Sequence, residues 1–124
     1  MQRDMDLVRE LLFAIEKDPK YNGQPNSWFQ PELEELGVAG RSMEEVAYHL
    51  FLLIEAGFVI GNTEGMEMPV ISRLTWAGHE FSANISDDGI WAKVKEQIKG
   101  LPRIGLPVIA AIAQEEVMKH LRLR

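Results

Sequence analysis

Residues 42–76, SMEEVAYHLFLLIEAGFVIGNTEGMEMPVISRLTW, restrict what this chain can fold into more than any other stretch. Ser42 followed by Glu45 is a capping box: the hydroxyl takes an orphan N–H of the first turn, and the glutamate reaches back to the cap's own N–H. Met43, Val46, Ala47, Leu50, Leu53 and Ile54 then recur at helical spacing, which predicts one helix over Ser42–Ala56 with a single apolar face. Gly57 ends that helix, because the left-handed position after a helix costs glycine no Cβ clash. Phe58–Ile60 and Ile71–Leu74 are β-prone runs, with Gly61-Asn62 and Gly65 as turn residues between them. An isolated hairpin is marginal in water. The helix and the hairpin are therefore expected to pack on each other, with Leu50 and Ile54 buried.

The remainder of the chain supplies the rest of a core. A helix is expected from about Asp4 to Lys17, with Leu7, Val8, Leu11, Leu12 and Ile15 as its buried stripe and Asp18-Pro19 as its stop. Residues 20–31, KYNGQPNSWFQP, read as a loop pinned to the core by Trp28 and Phe29. Pro31 opens a segment over residues 31–37 that reads either as a short helix or as a turn or strand. After the hairpin, Thr75 caps a helix carrying Phe81 and Ile85. Ser86 or Asp87 caps another, with Ile90, Trp91, Val94 and Ile98 on one face. Gly100-Leu101-Pro102 interrupts the pattern, and a last helix runs from about Pro107 to Leu121. Its Lys119, Arg122 and Arg124 complement the negative end of the helix dipole. The fold class that follows is α+β, mainly α: a winged-helix-like domain of about five helices and a small antiparallel hairpin as the wing.

At 124 residues, with 46% hydrophobic and 26% charged residues, the chain suits one globular domain. It is read as residues 1–124, with a core over 3–85 and a C-terminal helical extension over 86–124. The absence of cysteine removes disulfides, thiolate metal sites and thiol nucleophiles, and fits a cytoplasmic protein. The longest apolar stretches, Leu50–Ile54 and Val108–Ala113, are too short to span a bilayer, and MQRDMD is not a signal peptide.

Several motifs resemble a known family. They are Arg3–Arg9 (RDMDLVR), Val46–Leu50 (VAYHL) with Glu55-Ala56-Gly57, Leu74–Phe81 (LTWAGHEF), and Asp87-Asp88 before Ile90-Trp91. Together they resemble a small bacterial, phage and prophage family catalogued as a domain of unknown function (domain of unknown function 2513). The resemblance touches residues 3 to about 98. It implies a winged-helix-like fold and a mobile-element setting, and it brings no activity and no functional residue with it. The HL…L…AGF…LT…G arrangement also resembles winged-helix transcription regulators more broadly.

Charge tests the DNA-binding inference that such a fold invites. Residues 42–72 hold five glutamates (Glu44, Glu45, Glu55, Glu64 and Glu67) and no lysine or arginine, a local net charge of −5 against −6 for the whole chain. Duplex affinity comes largely from Lys and Arg on phosphates, and bases are read mostly by Arg, Lys, Asn or Gln. His49 and Asn62 would be the readers here, in a repulsive field. The cations lie elsewhere: Lys93, Lys95, Lys99 and Arg103 surround one later helix, as a solvated face or as a phosphate-binding patch.

On a helical wheel Glu45, Tyr48, His49, Leu52, Glu55 and Ala56 lie opposite the apolar stripe. An apolar anchor ringed by polar groups is interface anatomy. Either the C-terminal helix covers Tyr48 and Leu52 within the monomer, or Glu45, Tyr48, His49, Leu52 and Glu55 form a surface for a basic partner or a second copy. Other chemistry is thin. His79-Glu80 with Asp87-Asp88 suggests a divalent metal, but helix N-termini account for the aspartates. No serine has triad partners, and Gly61–Gly65 lacks phosphate-loop spacing and lysine. The expectation is a non-enzymatic protein-interaction module without metal or cofactor. Its alternative is a DNA-binding regulator working through Lys93, Lys95, Lys99 and Arg103.

Overall fold

The computed structural model describes residues 1–38, 40–65 and 67–122. Arg124, one of the expected dipole partners, lies outside them. Among the described residues, five helices and one two-stranded antiparallel sheet run in the order α1 (Met5–Lys17), α2 (Met43–Glu55), β1 (Val59–Asn62), β2 (Val70–Leu74), α3 (Trp76–Asn84), α4 (Asp88–Ile98) and α5 (Leu106–Arg122). The class is α+β, mainly α. The chain forms two compact units, Met1–His79 and Glu80–Arg124, and the boundary falls within α3.

In the first unit α1 starts at Asp4, whose carboxylate accepts the N–H groups of Asp6 and Leu7. That satisfies donors a helix start leaves orphaned. Leu7, Val8, Leu11, Leu12 and Ile15 are its buried stripe, as the spacing predicts. α2 starts where Ser42 Oγ accepts the Glu45 N–H at 3.1 Å. The Glu45 carboxylate does not complete the expected box; it lies 3.1 Å from Arg41 Nη1 instead. At the other end Gly57 stands at φ +85°, the Gly57 N–H donates to Ile54 O, and the Phe58 N–H donates to Leu53 O. This crossed pair of bonds closes the last turn around a left-handed glycine.

β1 and β2 pair with Val59 opposite Leu74 and Asn62 opposite Val70, with a shift in register between Ile60 and Gly61. Gly61 is small by necessity: a Cβ there would stand 2.6 Å from Ile54 Cδ1 and 2.8 Å from Val70 O. Three bonds at Thr75 join the hairpin to the end of α2 and to the start of α3. The Thr75 hydroxyl donates to Gly57 O at 2.6 Å, the Thr75 N–H donates to Phe58 O, and Thr75 Oγ1 accepts the Gly78 N–H at 3.0 Å as the cap of α3.

Two expectations are corrected in this unit. The buried face of α2 is Val46, Ala47, His49, Leu50 and Leu53. It is turned toward His49 and away from Met43, which is 50% exposed, while Ile54 is only half-buried against Gly61. A buried histidine belongs to that face because its ring is fully hydrogen-bonded, as described below. Second, Trp28 and Phe29 leave 44% and 40% of their surface exposed and do not pin the loop by burial. Phe29 acts through its backbone, exchanging both N–H···O bonds with Ile71 at 2.8–3.0 Å, and Tyr21 is the aromatic ring that the core takes in. Over residues 31–37, where the sequence leaves helix, turn or strand open, the chain takes the turn, one hydrogen-bonded turn over residues 32–37. The Leu36 N–H reaches Glu32 O, and Gly37, at φ +72°, closes the turn. A segment this short lacks the length to sustain a helix.

The second unit is built on the antiparallel pair α4 and α5. Asp87 Oδ1 accepts the Ile90 N–H at 2.9 Å, so Asp87 rather than Ser86 is the cap. Ile90, Trp91 and Val94 on α4 are buried, as are Leu106, Ile109 and Ala113 on α5. Gln97 on α4 donates to the buried Glu116 carboxylate on α5, and Lys119 lies 3.5 Å from the same oxygen. α5 begins one residue before Pro107, which occupies the first turn where its missing N–H is harmless.

Candidate docking groove

α2 was expected to present Glu45, Tyr48, His49, Leu52 and Glu55 as one surface. The structure divides them. His49 is 0% exposed. Its Nε2 accepts the Asp4 N–H at 2.7 Å and its Nδ1 donates to Glu45 O at 2.7 Å, so the ring is neutral with its proton on Nδ1. It has no edge left for a partner or a base. Glu45 is held by Arg41, whose Nη1 also lies 2.7 Å from Asp4 Oδ2. Partial burial pushes the Asp4 carboxyl up, but the Arg41 guanidinium and the Leu7 and Asp6 N–H groups outweigh it and leave the carboxyl below its ordinary range. Asp4, Arg41, Glu45 and His49 thus form a latch between the start of α1 and α2. Tyr48 and Leu52 are half-buried and Glu55 is exposed.

The accessible apolar surface of α2 lies beside this latch. Met43, Ala47, Tyr48 and Phe51 line a depression of about 370 Å³ whose rim is Glu44 and Glu67. A second depression of about 430 Å³ shares Met43 and Glu67 with the first and adds Pro31, Leu33, Gln30 and Glu32. The two form one groove bounded by α2, the 30–33 segment and the loop between the strands. Every charged residue on its described walls is a glutamate. Sequence reasoning missed Phe51 and took Met43 for core. The signal was present: Glu44, Ala47, Tyr48 and Phe51 follow helical spacing along a face adjacent to the buried one.

A larger depression, about 610 Å³, lies between α1 and residues 34–37. Two of its acid groups, Asp18 and Glu35, already have a basic partner within the protein. Lys20 pairs with Glu35 and lies 3.9 Å from Asp18, and Lys17 stands on the wall. That makes it a less receptive surface than the groove on α2. His79, named with Glu80 as a metal candidate, has its Nδ1 3.4 Å from Glu16 Oε2, and Asp87 is occupied in capping α4. Among the described residues no set of three or more His, Asp or Glu side chains is placed to hold a metal ion. Lys93, Lys95, Lys99 and Arg103 are all exposed, with the Lys95 ammonium 5.8 Å from the centre of the Trp91 ring. None of the described helices is long and apolar enough to cross a membrane.

Fold and groove define a small α+β protein whose most specific motifs are structural joints. The chain belongs to the family described as Hypothetical protein (DUF2513), which matches residues 2–102. That span includes the latch, the Gly57–Thr75–Gly78 weld and the whole groove. The chain is also similar to an uncharacterised protein of Haemophilus influenzae, 33% identical over 125 residues that cover 98% of this chain and 99% of that one. No solved structure matches it.

Proposed function

We propose that this protein is a non-enzymatic, winged-helix-like interaction module of a phage or prophage setting, acting in the cytoplasm by docking a basic protein segment into the groove beside α2. The order of elements supports the winged-helix part of this reading: helix, bridge at Phe29, single turn, helix, hairpin. The setting follows from the family resemblance. The docking part is carried by one observation, an apolar floor of Met43, Ala47, Tyr48 and Phe51 whose charged rim is glutamate throughout. Apolar side chains of a partner would supply burial, while its Lys or Arg residues would meet Glu32, Glu44 and Glu67 at the solvent-exposed edge. The same rim opposes the phosphate backbone of a duplex.

The test uses a fluorescent peptide of alternating leucine and lysine, a control of leucine and glutamate, and a duplex of random sequence. The reading expects the lysine peptide to bind, with affinity falling as salt rises and weakening about tenfold or more in Met43→Glu. Equal binding of both peptides, or binding indifferent to Met43→Glu, overturns it. Duplex binding with a steep salt dependence that is lost in a Lys93→Glu, Lys99→Glu variant would establish the regulator reading in its place.

A further inference from the structure

The chain carries a segment with the chemistry that the groove asks for. Between α4 and α5, residues 99–104 read KGLPRI. Leu101 is 53% exposed, Lys99, Pro102 and Arg103 are exposed, Ile104 is half-buried, and Gly100–Ile104 line a shallow, mostly apolar depression of about 350 Å³. The loop holds its own shape. Gly100 stands at φ +83°, the Leu101 N–H donates to Ile98 O at 2.9 Å, and the Ile104 N–H donates to Leu101 O at 3.2 Å. A preorganised loop loses little freedom on binding.

Charge is distributed to match. The unit Met1–His79 carries 13 acidic and 6 basic residues, net −7, whereas Glu80–Arg124 carries 6 acidic and 7 basic, net +1. We infer that the groove beside α2 takes the 99–104 loop of a second copy of this chain. Leu101 and Ile104 seat on Met43, Tyr48 and Phe51, and Lys99 and Arg103 face Glu44 and Glu67. The inference rests on the docking reading above and names its occupant. Groove and loop are different surfaces, so the second copy either returns the contact in a two-fold dimer or does not return it and leaves one groove and one loop free for further copies. Contacts that are not returned either close into a ring or continue as a filament.

Sedimentation velocity tests this with two variants at exposed positions, Met43→Glu in the groove and Leu101→Asp in the loop. A glutamate at the first position of α2 also suits the helix dipole, and thermal melts by circular dichroism confirm that both variants are folded. The wild-type chain is expected to gain mass with concentration and to lose that gain in high salt. Each variant alone is expected to remain a monomer. An equimolar mixture is expected to form a dimer and nothing larger, because only one intact groove meets one intact loop. Variants that associate like the wild type, or a mixture that stays monomeric, overturn the inference. If the wild type is a monomer throughout while the leucine–lysine peptide still binds in a Met43-dependent way, the occupant is wrong and the docking reading stands. If neither contact depends on Met43, both readings fall together.

Discussion

The backbone N–H of Asp4 donates to Nε2 of His49 at 2.7 Å, across 45 positions of sequence. That N–H belongs to the residue capping α1, and His49 sits in the middle of α2, so one ring joins the start of one helix to the body of another. The imidazole is neutral, because Nδ1 must donate to Glu45 O while Nε2 accepts. His49→Ala would leave the Asp4 N–H without an acceptor and open a cavity in the core. The expected cost is about 2–4 kcal/mol in urea unfolding. Peptide binding measured where the variant is still folded should change much less than stability, since the ring is not on the groove wall and reaches it only through its edge-on contact with Tyr48.

Asp4 gives the fold an acid-side dependence. Its carboxyl is partly buried, which raises its pKa, but Arg41 and the N–H groups of Leu7 and Asp6 lower it further than burial raises it. The folded value therefore lies below the unfolded value of 3.8. The stability contributed is complete above that value and is lost as pH falls through the lower, folded one. In Asp4→Asn this component is absent. The stability gap between wild type and Asp4→Asn, measured by denaturant titration at a series of pH values, should narrow as pH drops below the ordinary aspartate range. A gap constant with pH would remove the Arg41–Asp4 pair from the account.

The LTWAG motif makes a prediction of its own. Built on Gly78, a Cβ would stand 2.0 Å from Phe58 O, a backbone atom that also accepts the Thr75 N–H. Gly78→Ala therefore forces the junction of α2, β1 and α3 apart, and is expected to cost about 2–4 kcal/mol or to prevent folding. Thr75→Val keeps the shape but removes the hydroxyl that bridges Gly57 O and the Gly78 N–H. About 1–2 kcal/mol is expected for that loss, in the range of a helix cap. Thermal melts of the two variants should rank them in that order.

Legibility in the sequence followed the range of the interactions. The stripe of α1, the caps at Ser42 and Thr75, the glycine stop at Gly57 and the hairpin strands are set within a few residues, and all were readable. The rotation of α2 was not, because the partner that makes a buried histidine tolerable lies on another helix. Phe29 looked like an anchor by its side chain and proved to be one by its backbone, since strand pairing across a loop leaves no local signal. Residues 32–37 contain a helix start and too few positions to continue it. Of the candidate site, the acidic character of α2 and the role of Tyr48 as accessible surface were visible. Its apolar floor was displaced, because Met43 had been assigned to a core face that in fact turns toward His49.

That displacement leads to the last prediction, which separates two surfaces of one helix. The wheel drawn from sequence puts Tyr48 and Leu52 together as an outward patch. In the structure Tyr48 lines the groove with Met43 and Phe51, whereas Leu52 is half-buried and does not line it. If the groove is the docking site, Tyr48→Ala removes a ring of the kind that dominates interfaces. It should weaken binding of the leucine–lysine peptide by about 1–3 kcal/mol, with little change in melting temperature. Leu52→Ala should do the reverse, lowering the melting temperature through lost burial and leaving peptide affinity within about twofold of wild type. Calorimetric titration and thermal melts on the same two proteins decide the matter. Should Leu52→Ala abolish binding in a protein that melts like wild type, with Tyr48→Ala silent, the partner sits on the outward patch and the groove is not its seat. If both variants lose affinity without losing stability, the contact spans both surfaces and a partner larger than the 99–104 loop is required.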